Sequence, residues 1–129
     1  MSLAASAPPR WKSASLWVVR GSLALAFAGA GGAKLYGVSM MIQEFEPIGF
    51  GQWFRYLTGA LEVLGACLIL APSLAAFGGL LLIAIMIGAT ITHLFVIGGS
   101  PVPALVLLAL SAIVAYAKRD QIASLARTL

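Results

Sequence analysis

The stretch LAAFGGLLLIAIMIGATITHLFVI, residues 74–97, is apolar without a break until Thr90, Thr92 and His93. A helix needs about 20 such residues to cross the hydrocarbon core of a bilayer, and this run has enough. Read outward, Pro72 and Ser73 end one helix and cap the next, and a second apolar run lies before them from Phe54 to Leu70, with Glu62 inside it. On the other side, Gly98, Gly99, Ser100 and Pro101 form a tight turn into a further run from Val102 to Ala117, short enough to stand nearly upright. The remaining run spans Leu16 to Leu35, interrupted by Arg20 near its start and Lys34 near its end. The runs are continuous and rich in Ala and Leu rather than alternating, which argues for helices and against strands.

Composition leads to the same class. Of 129 residues, 61% are hydrophobic and 9% charged, where a soluble domain carries roughly 25% charged residues. A soluble enzyme, a disordered tail and a nucleic-acid-binding domain are excluded, since eight basic residues spread over an apolar chain form no phosphate-tracking face. The single Cys67 closes no internal disulfide, and no His/Cys cluster offers a metal, haem or iron–sulfur site. The expectation is an all-α polytopic membrane protein: an antiparallel bundle of four transmembrane helices with a short outer amphipathic segment between helices 1 and 2.

Lys and Arg set the orientation. Arg10, Lys12, Arg20, Lys118, Arg119 and Arg127 flank the start of the first span and the end of the fourth. Positive-inside reasoning places both termini in the cytoplasm of a bacterial-type inner membrane. The expected organisation is a basic cytoplasmic segment over residues 1–15, a four-helix domain over 16–117 and a second basic cytoplasmic segment over 118–129. Ala28-Gly29-Ala30 resembles a signal-peptide cleavage site, but the apolar stretch is long for a signal peptide, so a retained span is expected.

Between Tyr36 and Trp53, the spacing of Val38, Met41, Ile42 and Phe45 against Gln43, Glu44 and Glu46 predicts an amphipathic helix on the outer membrane surface. Trp53, Phe54 and Tyr56 follow where an aromatic belt belongs. Small residues mark helix–helix seams in lipid, so Ala24, Ala28 and Gly32 in the first span, Gly59 and Gly65 in the second, and Ala84, Gly88 and Thr92 in the third are expected to pack inward.

Ionisable residues inside spans cost about 2.5–3.5 kcal/mol at the bilayer centre and therefore face the interior. Lys34 lies ~27 Å along the first span at 1.5 Å per residue, and His93 lies at a similar height on the third. Glu62 descends to about 12 Å below the outer entry of the second. Arg55 and Thr58 share the face of Glu62, and Thr90 shares that of His93. The expected site is an outward-opening polar pocket with Lys34, Arg55, Thr58, Glu62, Thr90 and His93 as ligand-binding residues. Glu62 and His93 are its candidate catalytic groups, and no metal is expected. The plainer reading is a buried pair, Glu62 with Lys34 or with Arg55, that holds the helices in register.

The run Gly31-Gly32-Ala33-Lys34-Leu35, the stretch from Trp53 to Gly65 with Arg55, Gly59 and Glu62 in it, Thr92-His93-Leu94 and Gly99-Ser100-Pro101 together resemble the DoxX-like family. The resemblance covers about Leu16 to Arg119. It implies a four-helix membrane bundle with Lys34, Arg55, Glu62 and His93 as marked polar positions. Members are associated with redox complexes, including a thiosulfate:quinone oxidoreductase subunit and assemblies with sulfur- or superoxide-handling partners, while many have no assigned activity. The paired cysteines of some redox-linked relatives are missing here.

Three functions stay open. The first is a redox-associated subunit that binds a quinone or similar lipophilic small molecule, with soluble or membrane redox proteins as partners and no covalently bound cofactor. Here His93 and Lys34 would donate hydrogen bonds and Glu62 would relay protons. The second is a membrane enzyme of isomerase or hydrolase type acting on a lipophilic substrate through Glu62. The third is a non-catalytic assembly or anchor protein. The lipid bilayer is a partner in each case, nucleic acid in none, and homo-oligomerisation is open.

Overall fold

A computed structural model describes residues 9–129, so part of the expected 1–15 segment lies outside the described residues. Pro9 stands at the N-cap of α1 (Arg10–Tyr36), which starts ahead of Leu16 because nothing between Arg10 and Ser15 breaks a helix. Gly37, at φ +82°, ends it in the left-handed region that glycine enters without penalty. Then come α2 (Ser39–Phe45), a 3-10 turn at Glu46–Ile48, α3 (Trp53–Leu70), α4 (Ala75–Thr92), a π-helical turn at His93–Ile97, α5 (Val102–Ala117) and α6 (Arg119–Thr128). No strand occurs among the described residues. The helix expected from the spacing of Val38 to Phe45 is present as α2, with Phe45 buried and Gln43 and Glu46 exposed.

Three segments are long and apolar enough to cross a membrane: α1, α3 and the run Ala75–Ile97. A fourth is reached when α5 and α6 are counted together, although they meet at a bend of 53°. The basic C-terminal segment is thus largely helix α6. Its Gln121 accepts a hydrogen bond from the Ala76 N–H (2.9 Å) and donates to the Pro72 carbonyl (2.8 Å), which caps the start of α4.

α1 and α3 run antiparallel: Arg20 near the start of α1 bonds carbonyls at the end of α3, while Lys34 in the last turn of α1 meets Glu62. α4 packs its first turns against the ends of both α3 and α5, where a Cβ on Gly78 would lie 2.7 Å from the Ile69 nitrogen and one on Gly79 3.0 Å from the Ala115 nitrogen. Leu23, Phe27, Ile69, Leu82, Met86 and Val114 fill the space between these helices.

The seams differ from the expected ones. On α1 the close approach is made by Gly31: a Cβ there would lie 2.7 Å from the Gly59 carbonyl, whereas Gly32 faces open space. Ala28, Ala84 and Gly88 are exposed, and α4 uses Gly78 and Gly79 instead. Ala24, Gly59 and Gly65 are buried as expected. A four-residue spacing selects a face but not which neighbouring row meets the partner, and here the row through Ala24, Phe27 and Gly31 does. Arg20 also differs from a charge that merely flanks a span: it is only 2% exposed.

Candidate functional site

The Gly31–Gly59 contact brings the backbones of α1 and α3 together near the last turns of α1. A Cβ on Gly59 would lie 2.9 Å from Cβ of Lys34, so the lysine stem crosses α3 where that helix has no side chain. Its Nζ then reaches Glu62, one turn farther along α3, at 2.8 Å from Oε1. Glu62 is 2% and Lys34 13% exposed. The approach has the distance of an ion pair without the alignment of a hydrogen bond, and no directed donor of the described protein reaches Oε1.

Arg55, the other candidate partner for Glu62, is engaged elsewhere. Its Nη1 donates to the Lys34 carbonyl, and its Nε donates to Gln52 Oε1 at 2.7 Å. The guanidinium lies 4.3 Å from the Tyr56 ring and fills the space beside Gly37. Gln52 in turn donates to the Ile42 carbonyl (3.2 Å), which ties α2 to the start of α3. Arg55 therefore closes the C-terminal end of α1, where exposed carbonyls and the helix dipole favour a cation.

Beside the Lys34–Glu62 pair lies a cavity of about 390 Å³, bounded by α1, α2, α3, α4 and α5. Leu57, Leu61, Ile85, Met86 and Leu107 make most of it apolar. Its polar lining is Lys34, Glu44, Thr58, Glu62, Thr92 and His93. Thr58 donates to the Phe54 carbonyl and Thr92 to the Gly88 carbonyl, each at 2.8 Å. Both hydroxyls thus have their hydrogens committed and keep only acceptor capacity.

His93 opens the π-helical turn, a local widening that often accompanies functional positions. Its Nδ1 lies 3.0 Å from the Gly98 carbonyl. A carbonyl only accepts, so Nδ1 carries the hydrogen and Nε2 is left for a ligand. Gly98 adopts φ +75° and ψ −162°, open essentially to glycine alone, so the turn that orients the imidazole depends on that residue.

A family model, the DoxX-like family, matches residues 18–116. The chain belongs to the DoxX-like family. No curated protein and no solved structure matches it. With its apolar helices, family membership makes this a helical membrane protein.

Of the six residues singled out from sequence, this DoxX-like chain brings Lys34, Thr58, Glu62 and His93 to one cavity. Arg55 and Thr90 are absent from the lining, and Thr90 donates to the Met86 carbonyl at 2.7 Å. Sequence reasoning missed Thr92 and Glu44. Thr92 adjoins His93, but its spacing from Gly88 marks it only as a packing residue. Glu44, expected on the polar side of α2 with Gln43 and Glu46, alone of the three lines the cavity, next to Phe45, whose ring packs 5.9 Å from that of Phe54.

Proposed function

We propose that this DoxX-like protein is a four-span, antiparallel bundle of the bacterial-type inner membrane with both termini cytoplasmic. It binds a quinone or a similar lipophilic carbonyl compound for a redox system, which soluble or membrane redox proteins would complete. The observation that carries the reading is a mostly apolar cavity of about 390 Å³ whose few polar groups cluster around Lys34, Glu62 and His93. Small-molecule sites commonly fall in a range of ~300–1,000 Å³ with such a lining.

A quinone supplies two-electron, two-proton carrier chemistry when bound. The residues fit such a group. Lys34 Nζ donates to a carbonyl oxygen, and its charge is held in place by Glu62. With Nδ1 donating to the Gly98 carbonyl, His93 Nε2 would accept from a hydroxyl of the reduced form rather than donate to a carbonyl. Glu62 and Glu44 provide carboxylates on which a proton can rest between the bulk phase and the ligand.

The test is equilibrium binding of a short-chain benzoquinone to the purified full-length protein in detergent. Saturable binding is expected for both the oxidised and the reduced form, and His93→Gln should weaken the reduced form, which alone has a hydroxyl to donate to Nε2, roughly 5–10-fold, the loss of about one hydrogen bond. A folded protein that binds no quinone ends this reading. Mass spectrometry of co-extracted molecules then separates the other two: a different lipophilic compound favours an isomerase or hydrolase, an empty interior an anchor. For the orientation, a reporter fused after Leu129 is expected on the cytoplasmic side, and an external reporter overturns it.

A further inference from the structure

The opposite end of the helices holds a second cavity, of about 400 Å³, between the start of α1 and the end of α5. Lys12 of α1 and Lys118, the residue after α5, line it, Arg20 lies against it, and no acidic side chain among the described residues takes part. Trp11 and Trp17 stand in the same lining, 67% and 50% exposed, and Ile113 contributes an apolar wall.

Arg20 is the residue that makes this more than a basic surface. Its guanidinium is buried and stacked 3.8 Å from the Trp17 ring. Nε donates to the Ile69 carbonyl (2.7 Å) and Nη2 to the Ala71 carbonyl (3.3 Å). Nη1 has no acceptor among the described residues. A buried cation held by two carbonyls, with one nitrogen unengaged by the described residues, therefore lines a cavity that two lysines also line.

We propose that this cavity binds the phosphate of an anionic phospholipid headgroup, one lipid per chain. A phosphodiester matches a guanidinium nitrogen flanked by lysines, and the acyl chains need the apolar surface that α1 and α5 offer alongside. Exposed tryptophans are the side chains expected at headgroup level in a membrane protein. The cavity at the Lys34–Glu62 end carries two carboxylates and would repel the same ligand. The proposal rests on the membrane character of the chain, not on the ligand of that other cavity.

Native mass spectrometry of the full-length protein in detergent tests it, with phosphatidylglycerol and phosphatidylcholine as probes. One retained phosphatidylglycerol per chain is expected, and no phosphatidylcholine at the same concentration. The double variant Lys12→Gln/Lys118→Gln should bind phosphatidylglycerol about 25-fold more weakly, at roughly fivefold per basic residue near an anionic lipid. Ile113→Trp keeps every charge but fills the cavity, and it should lose the same adduct even if the double variant does not fold. Quinone binding should be unchanged in Ile113→Trp, which keeps this outcome separate from that of the other cavity. Equal retention of both lipids, or an adduct that survives Ile113→Trp, overturns the proposal. Displacement by an equal concentration of inorganic phosphate also overturns it, since the site would then be one for free phosphate.

Discussion

Where α3 finishes, Arg20 of α1 donates to the carbonyls of Ile69 and Ala71; where α1 finishes, Arg55 of α3 donates to the carbonyl of Lys34. The two antiparallel helices thus close each other's C-terminal ends with a buried guanidinium, each stacked on the tyrosine or tryptophan near it. A guanidinium suits both places because its fork of donors can meet several orphan carbonyls while its charge opposes the negative end of the helix dipole. What differs is the company each arginine keeps. At the Arg55 end, Lys34, Glu62, Glu44 and His93 line a mostly apolar cavity that Arg55 itself does not enter. Around the cavity at Arg20 the charged side chains among the described residues are all cations, set among tryptophans, serines and apolar residues. The shared device explains how the helices are held together. The unshared residues are where ligand chemistry must be sought, and their different charges are the reason a different ligand is proposed for each end.

Removing a partner from the ion pair should produce the largest effect and should separate the ends most sharply. Glu62→Gln leaves the Lys34 ammonium in a site where it is only 13% exposed, with no opposing charge at 2.8 Å. Breaking one half of a buried pair costs ~3–5 kcal/mol, whereas replacing both halves by apolar groups is often close to neutral. The double variant Lys34→Met/Glu62→Leu should therefore unfold nearer to wild type than Glu62→Gln does, as read by thermal melting in detergent. It should also lose quinone binding. A Glu62→Gln protein as stable as wild type would mean the lysine finds water or another acceptor, and the pair would not hold α1 to α3. None of these changes should alter lipid retention at the Arg20 end.

The sequence is most informative where signals are local. Pro72-Ser73 marks the end of α3 and the start of α4, and the Gly98–Pro101 run marks the end of the π-helical turn and the start of α5, because breakers and apolar runs act within a few residues. Lys34, Glu62 and His93 converge as their heights along the spans imply, since an antiparallel arrangement turns distance along a helix into depth. What spacing does not carry is rotation about the helix axis. Gly31 and Gly32 are equally small, and only the approach of α3 decides that Gly31 is the contact. Charge near a span end is ambiguous in the same way: Arg20 reads like a flanking lysine, yet it is buried because the carbonyls of Ile69 and Ala71 at the end of α3 lie within its reach. The choice between Lys34 and Arg55 as partner of Glu62 is likewise tertiary, settled when Gln52 and the Lys34 carbonyl occupy Arg55.

A smaller effect tests the shared device itself. Arg20→Met strips donors from two carbonyls at the end of α3, while Arg55→Met strips one at the end of α1 and leaves Gln52, which is only partly buried, able to turn to water. Hydrogen bonds from charged donors contribute about 1.5–3 kcal/mol each, and the 3.3 Å bond to Ala71 belongs at the weak end of that range. Losses of roughly 3 kcal/mol for Arg20→Met and roughly 2 kcal/mol for Arg55→Met are expected in the same melting assay. Lysine at either position keeps the charge but not the planar fork, so Arg20→Lys should recover only about half of its loss by favouring the Ile69 carbonyl. Equal losses for the two methionine variants would make charge at a helix end, rather than the number of carbonyls bonded, the quantity that matters. Full recovery in both lysine variants would point the same way, and the two ends would then differ only in their cavities.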